Sequence, residues 1–521
     1  MVHISHCLAL ALAVSAGAAL ADPVAQTEAG SVRGIERGAV QAFLGIPYAA
    51  PPTGQRRWRE PLPVSPWQGH RDATRPGPAC YQALAGAWGP YTAEFVAGAP
   101  ISEDCLTLNI WKPAGGRRGL PVLVFIHGGA FQGGAGSLPV YDGSGLAARG
   151  AVVITINYRV GVFGFLAHPG LTAESPLKTS GNYGLLDQIA ALRWVRDNAA
   201  GFGGNPANVT VSGESAGAAS VNDLLVSPLA KGLFARAISF SGASMAIDAP
   251  NRIVGESDGA ALGKRLDAPS VEVLRAASAD RLVEATRMGP AEGGGVPRFV
   301  YVPHVDGVVL PHDPSDAAGR VVSAVPLLTG YNAAEMIDLS VRTPADFERA
   351  VRGRYGAFAD RLQALYPHAT EDEVSRSNVL ISRDRYMAGL ILWSRARTAA
   401  SGQPVHTYLY DHPYPPARGG KAWGAFHSSG LPYVFGALGH GDRVFTAADH
   451  AVSRQWQDIV LAFMRTGNPS LKARAWPKIG ATTVNAMVIG DRPGMRPAVS
   501  SPARFEAFRA YAAAGGKLGL N

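Results

Sequence analysis

The pentapeptide Gly213-Glu214-Ser215-Ala216-Gly217 constrains what this chain can fold into more than any other stretch. It follows the β-branched run Val209-Thr210-Val211. It leads into Gly217-Ala218-Ala219-Ser220-Val221, residues small enough to begin a helix. A G-x-S-x-G turn between strand and helix is too sharp for ordinary side chains. The serine takes a strained backbone conformation, the glycines let strand and helix approach, and Oγ projects beyond the end of a sheet. The unpaired N–H groups of the following helix favour negative charge developing there. The five-residue pattern alone recurs by chance; its weight comes from the strand before it and the helix after it.

The rest of the first half has the same grammar. Leu120 to Ile126 and Ala151 to Ile156 are short apolar runs of buried-strand type, with a short helix expected over 144–149 between them. Residues 185–200 carry apolar side chains at helical spacing: Leu186, Ile189, Ala190, Leu192, Trp194 and Val195. Further strands are expected at 235–240 and 325–329. Strands alternating with helices imply an α/β fold whose large, mostly parallel central sheet is covered by helices on both faces. From about residue 344 to 400 the pattern turns helical and more charged, an elaboration packed around the sheet. No linker interrupts the chain, and residues 22–521 read as one domain.

Composition bounds the partners. The 521 residues are 47% hydrophobic and 17% charged, enough to bury a large core. The net charge is +8, but the arginines are scattered, and only Gln55-Arg56-Arg57 and Arg117-Arg118 form short clusters. That is a solvated surface rather than a nucleic-acid groove. Residues 1–21 lack Lys, Arg, Asp and Glu, carry an Ala/Leu-rich run from Leu8 to Leu20, and end in small residues. They read as a signal peptide cut before Asp22, so the protein is expected to be secreted or periplasmic. The alternative, a membrane anchor, needs a longer apolar stretch, and no stable membrane insertion is expected. Cleavage removes Cys7 and leaves Cys80 and Cys105, an even pair in an exported protein. A disulfide between them would contribute roughly 3–4 kcal/mol by loop-closure entropy; two buried free thiols are the alternative. No Cys/His spacing suggests a metal, and no cofactor is expected.

A second chemical element follows the strand at 120–126. His127-Gly128-Gly129-Ala130-Phe131 has the consecutive glycines that let two backbone N–H groups face one oxygen. With the N–H of Ala216, those of Gly128 and Gly129 would form an oxyanion hole. His127 shapes the loop and is not the base. Where a G-x-S-x-G turn on an α/β sheet carries the nucleophile, the acid and then the histidine follow it in the chain. Asp306, Glu335, Asp338 and Asp411 all qualify as the acid on order alone, and thirteen histidines compete as base.

These residues resemble the type-B carboxylesterases, the family that includes the cholinesterases, and the resemblance spans nearly all of residues 22–521. Its motifs are Phe43-Leu44-Gly45-Ile46-Pro47-Tyr48-Ala49 with Pro51-Pro52, Glu103-Asp104-Cys105-Leu106-Thr107-Leu108-Asn109-Ile110, and Asn157-Tyr158-Arg159. Most specific are Gly181-Asn182-Tyr183-Gly184-Leu185-Leu186-Asp187-Gln188 and Phe202-Gly203-Gly204-Asn205-Pro206.

The resemblance implies an α/β-hydrolase fold and a serine ester hydrolase acting on small to medium esters through an acyl-enzyme. It selects Glu335, five residues beyond Gly330, as the acid, with Asp338 as fallback and Asp306 as a turn residue. It selects His427, in Gly424-Ala425-Phe426-His427 before Leu431-Pro432-Tyr433-Val434-Phe435-Gly436, as the base. His168, His304, His406, His412 and His440 lack that context. It also implies accessory places for Glu214 and Ser241, and matches Cys80–Cys105 to the family's first disulfide. Trp88, Tyr91 and Phe95 in that disulfide's loop become candidates for the pocket entrance. Gly430 departs from the pattern, since many members carry an acid there. The competing readings are a lipase acting on aggregated lipid, a peptidase, and a catalytically silent adhesion relative. The last is disfavoured by the presence of Ser215, Glu335 and His427 together.

Overall fold

A computed structural model describes residues 22–242, 249–287, 299–316, 321–335 and 338–519. The leader expected at 1–21 lies outside the described residues. Among them runs a sheet of eleven strands. In chain order these are β1 (Ile35–Arg37), β2 (Val40–Pro47), β3 (Thr107–Pro113), β4 (Leu120–Ile126), β5 (Val152–Ile156) and β6 (Gly204–Glu214). They continue with β7 (Arg236–Phe240), β8 (Leu327–Asn332), β9 (Val405–Asp411), β10 (Asn485–Gly490) and β11 (Gly494–Pro497). Across the sheet the order is β11-β10-β9-β8-β7-β6-β4-β5-β3-β2-β1. From β10 to β5 every neighbouring pair is parallel, and the two rims are antiparallel.

The centre is parallel because its strands are apolar on both faces. In β4, Val122, Val124 and Ile126 enter one core cluster while Leu123 and Phe125 enter the opposite one. A strand's alternating side chains require that division. Helices cover the two faces: α1 (Tyr183–Asn198), α2 (Ala216–Val226), α3 (Glu371–Ser401), α4 (Leu431–Phe435) and α5 (Ala447–Thr466). Helix α1 buries Leu185, Ile189, Leu192 and Val195. Helix α3, thirty-one residues long within the stretch read as helical, packs on β8 and β9.

Two local readings were incomplete. The strand expected at 209–211 is the middle of the eleven-residue β6, whose register shifts between Gly204 and Val209. Its polar first half, Asn205 to Asn208, hid it. The helix expected over 185–200 begins at Tyr183 and stops at Asn198; Ala199–Phe202 tighten to a 3-10 turn closed by Gly203 at φ +80°. The antiparallel rim was not read as strands, because β2 is broken by a register shift between Phe43 and Ile46, at Gly45.

Chain reversals at the carboxyl ends of β4, β6, β8 and β9 carry, in turn, 127–131, Ser215, Glu335 and the segment reaching His427. Ligand sites of open parallel sheets form at that edge.

Candidate active site

Ser215 sits between β6 and α2 with φ +56° and ψ −121°, and its N–H donates to the Phe240 carbonyl at 3.0 Å. A β-carbon on Gly217 would collide with the Ile126 carbonyl, so only glycine lets α2 leave β6 this close to β4. Ser215 is not alone in its strain. Of the eight non-glycine residues with positive φ among the described residues, five belong to the site: Ser215 itself and its neighbours Ala130, Phe131, Ser241 and Ser428. Backbone held in such regions persists only where its surroundings over-determine it.

The acid is fixed from two sides. Glu335 is buried, and its Oε2 accepts from the Asn332 N–H at 2.9 Å and the Ser241 hydroxyl at 3.3 Å. That leaves Oε1 facing Nδ1 of His427, with which it forms a very short hydrogen bond. The turn carrying Glu335 is tied to the histidine segment by the Ala334 N–H to the Ala425 carbonyl (3.0 Å). The Asn332 side chain adds a bond to the Phe426 carbonyl (2.6 Å). The other acids lie elsewhere. Asp338 is exposed and binds Ser340, and Asp411 is exposed at the end of β9. Asp306 accepts from the Val308 and Leu310 N–H groups, both at 2.9 Å, as a turn element does. His412 is held between Asp449 and Asp491, at 3.0 and 2.8 Å.

The Nε2 edge of His427 lies 3.3 Å from Glu214 Oε1, and no hydrogen bond to Ser215 Oγ is found among the described residues. Burial pushes this imidazole down, but the charges of Glu335 and Glu214 and the Glu335 hydrogen bond outweigh it and hold it at about 9. Glu214 is buried too. Burial raises its carboxyl, opposed by His427 and by the Ser428 hydroxyl, which donates to it at 2.6 Å.

Gly128 lies against the nucleophile: a β-carbon there would stand 2.6 Å from Glu214 Oε2 and 3.0 Å from Ser215 Cβ. The N–H groups of Gly128, Gly129 and Ala216 have no acceptor among the described residues. His127 is buried and stacks on Tyr158, and burial lowers it to about 4. Cys80 and Cys105 are joined in a disulfide. Of the aromatic residues in its loop, Trp88 is 62% exposed. Tyr91 and Phe95 pack edge-on against Phe426, and the Tyr91 hydroxyl reaches the His427 carbonyl at 3.2 Å. At Gly430 a β-carbon would meet the Tyr410 ring only at 3.4 Å, and a small cavity there is lined by Glu214, Ser241, Asn332 and Ser428.

Sequence reasoning missed Asn332, Ser428 and the Tyr91 hydroxyl contact. Asn332 lies between Gly330 and Glu335, and Ser428 is next to His427, but nothing local shows what either side chain reaches.

Residues 21–503 match the model of the carboxylesterase family. The chain belongs to that family. It is a carboxylic ester hydrolase of the serine type with an α/β-hydrolase fold. This carboxylesterase is 39% identical over 440 residues to fumonisin B1 esterase of Sphingopyxis macrogoltabida, covering 82% of this chain and 78% of that one. It is 37% identical over 490 residues to para-nitrobenzyl esterase of Bacillus subtilis, covering 89% and 94%. A solved PNB esterase superposes with a TM-score of 0.78 at 34% identity, covering 93% of the carboxylesterase described here and 99% of the solved chain. No helix among its described residues is long and apolar enough to cross a membrane.

Proposed function

We propose that Ser215 is the nucleophile of this esterase, His427 its base, Glu335 the acid that orients the base, and Gly128, Gly129 and Ala216 the oxyanion hole. The observation that carries the reading is the Glu335–His427 contact at the strand edge that also bears Ser215. In the reaction, the Nε2 edge leaves Glu214 and takes the Ser215 proton as Oγ bonds to the ester carbonyl carbon. The carbonyl electron pair moves onto oxygen, where the three N–H groups receive it. Collapse breaks the bond to the alcohol oxygen, which takes the proton from Nε2. The acyl-serine is then hydrolysed by a water that His427 deprotonates. Glu335 keeps Nδ1 protonated throughout, so that Nε2 is the free base. Glu214 and Ser241 hold the imidazole and the acid, respectively.

Small to medium carboxylic esters are the proposed substrates, taken up by one catalytic unit comprising residues 22–521. We propose export through cleavage of 1–21; the disulfide supports an oxidising compartment. The test of the site is hydrolysis of p-nitrophenyl acetate and butyrate, with and without a serine-directed organophosphate, beside Ser215→Ala. Loss of turnover by about 10⁴-fold or more in the variant, with the adduct on Ser215, is expected. Turnover that survives the substitution, or an adduct on another residue, would sink the assignment.

A further inference from the structure

We propose that Tyr91 is a positioning residue for His427: its hydroxyl, carried on the loop closed by Cys80–Cys105, holds the backbone of the histidine from behind, and the Arg443–Glu94 ion pair holds the loop. This rests on His427 being the base.

The Tyr91 hydroxyl donates to the carbonyl of His427 at 3.2 Å. That carbonyl precedes Ser428, which has φ +74°, a conformation its own side chain disfavours. The turn at His427 is therefore held by contacts rather than by local preference. The Tyr91 ring stands edge-on to Phe426, the residue before His427, with centroids 5.6 Å apart, and to Phe95 at 6.0 Å. Phe95 in turn meets Phe426 at 5.8 Å and Tyr414 at 5.7 Å.

Arg443 closes the arrangement from the far side. Its Nε donates to Glu94 at 3.0 Å, and its Nη2 to the Pro90 carbonyl at 3.0 Å and the Thr92 hydroxyl at 2.8 Å. Its Nη1 donates to the Pro415 carbonyl at 2.5 Å, and the guanidinium lies over the Tyr414 ring. Both charged side chains are buried, so separating them would leave each charge uncompensated in a poorly solvated place. The result is a bracket: loop residues 90–95 on one side, Tyr414 and Pro415 on the other, and the histidine segment between them.

A base that must pass from Glu214 to Ser215 is sensitive to displacements well below 1 Å. Removing one hydroxyl from the bracket should therefore lower the rate without touching the substrate. A pocket-wall role for Tyr91 makes the opposite forecast, a change in KM.

Tyr91→Phe keeps the ring and removes only the hydroxyl, with its hydrogen bonds to the His427 carbonyl and the Ser428 side chain. With p-nitrophenyl butyrate we expect kcat to fall roughly five- to twenty-fold with KM within about two-fold. Inactivation by an organophosphate should slow in parallel, because the same base activates Ser215. The acid limb of kcat/KM should move to lower pH as the ring drifts from Glu335 and Glu214. In a His427→Ala background the same change should add nothing to the residual rate. Unchanged kcat and pH profile, a raised KM at constant kcat, or a full further loss in the His427→Ala background would each overturn the proposal. If His427→Ala alone hydrolyses normally, the base assignment fails instead, and the two failures are distinct. Should Tyr91→Phe not fold, Glu94→Gln loosens the same loop from Arg443 and carries the same expectations.

Discussion

His427 is flanked by two buried carboxylates, and at the residue scale their charges decide when it can act. Burial alone would lower its imidazole; Glu335 and Glu214 together hold it at about 9. A base must be neutral, so the fraction of active enzyme shrinks as pH falls through that value, and kcat/KM should still be rising with pH at neutrality. Replacing Glu214 by Gln removes one of the two charges and lowers the imidazole. The acid limb of the kcat/KM profile is expected to shift to lower pH, and the rate at pH 7 to rise relative to its own plateau. A limb that stays in place would show that Glu214 does not act on His427 through charge. Much of this site was legible at single residues: Ser215 announces itself by its glycines, and Gly128 and Gly129 by following a strand. The Glu214–His427 contact was not, since 213 positions of chain separate two side chains that meet only in the fold.

At the scale of elements, the loops at the sheet edge are steadied by a buried ion pair between the end of β5 and α1. Arg159 donates from Nε and Nη2 to Asp187 at 2.8 and 2.7 Å, and the Arg159 N–H adds a third bond at 3.0 Å. Tyr158, between Asn157 and Arg159, donates its hydroxyl to the His127 carbonyl at 3.0 Å and stacks on that ring. The pair thus braces the glycine loop that lies against Ser215. Asp187→Asn keeps the shape and leaves Arg159 buried without a counter-charge, so a loss of roughly 3–5 kcal/mol in urea unfolding is expected. A midpoint within error of the parent would mean that water or a rearrangement supplies the missing charge. The motifs containing Arg159 and Asp187 stood out in the sequence as separate blocks, and only the fold brings the start of helix α1 to the segment that follows β5.

For the whole molecule, response to acid depends on buried groups that resist protonation. Burial lowers His406 on β9 to about 4, and its Nδ1 has no hydrogen-bond partner among the described residues. The unfolded chain binds a proton there near pH 6.5 while the folded chain refuses it until about 4, so this group withdraws stability as pH falls across that window. Buried acids such as Glu214, which burial raises, act in the opposite sense. The decisive measurement is therefore a difference. The stability advantage of the parent over His406→Gln, from thermal melts, should shrink between pH 6.5 and 4 and level off below. An advantage independent of pH would show that the His406 ring is protonated in the fold. Such buried histidines cannot be told from surface ones by sequence, because His406 lies in a strand, Val405 to Asp411, that mixes aliphatic, polar and aromatic side chains.

What the sequence determined by itself is local: the strand–turn–helix at Ser215, the doubly apolar β4 and β5, the helical repeat of α1, and the glycines at 128, 129 and 217. Each follows from backbone preference or side-chain alternation within a dozen residues, which needs no partner to be read. Tertiary structure alone decided what met what. It set Glu214 against the Nε2 edge of the histidine, joined the antiparallel rim, and bracketed His427 with Tyr91 and Arg443. Those choices turn on distance and burial between segments remote in the chain, and only the folded sheet brings their groups within reach.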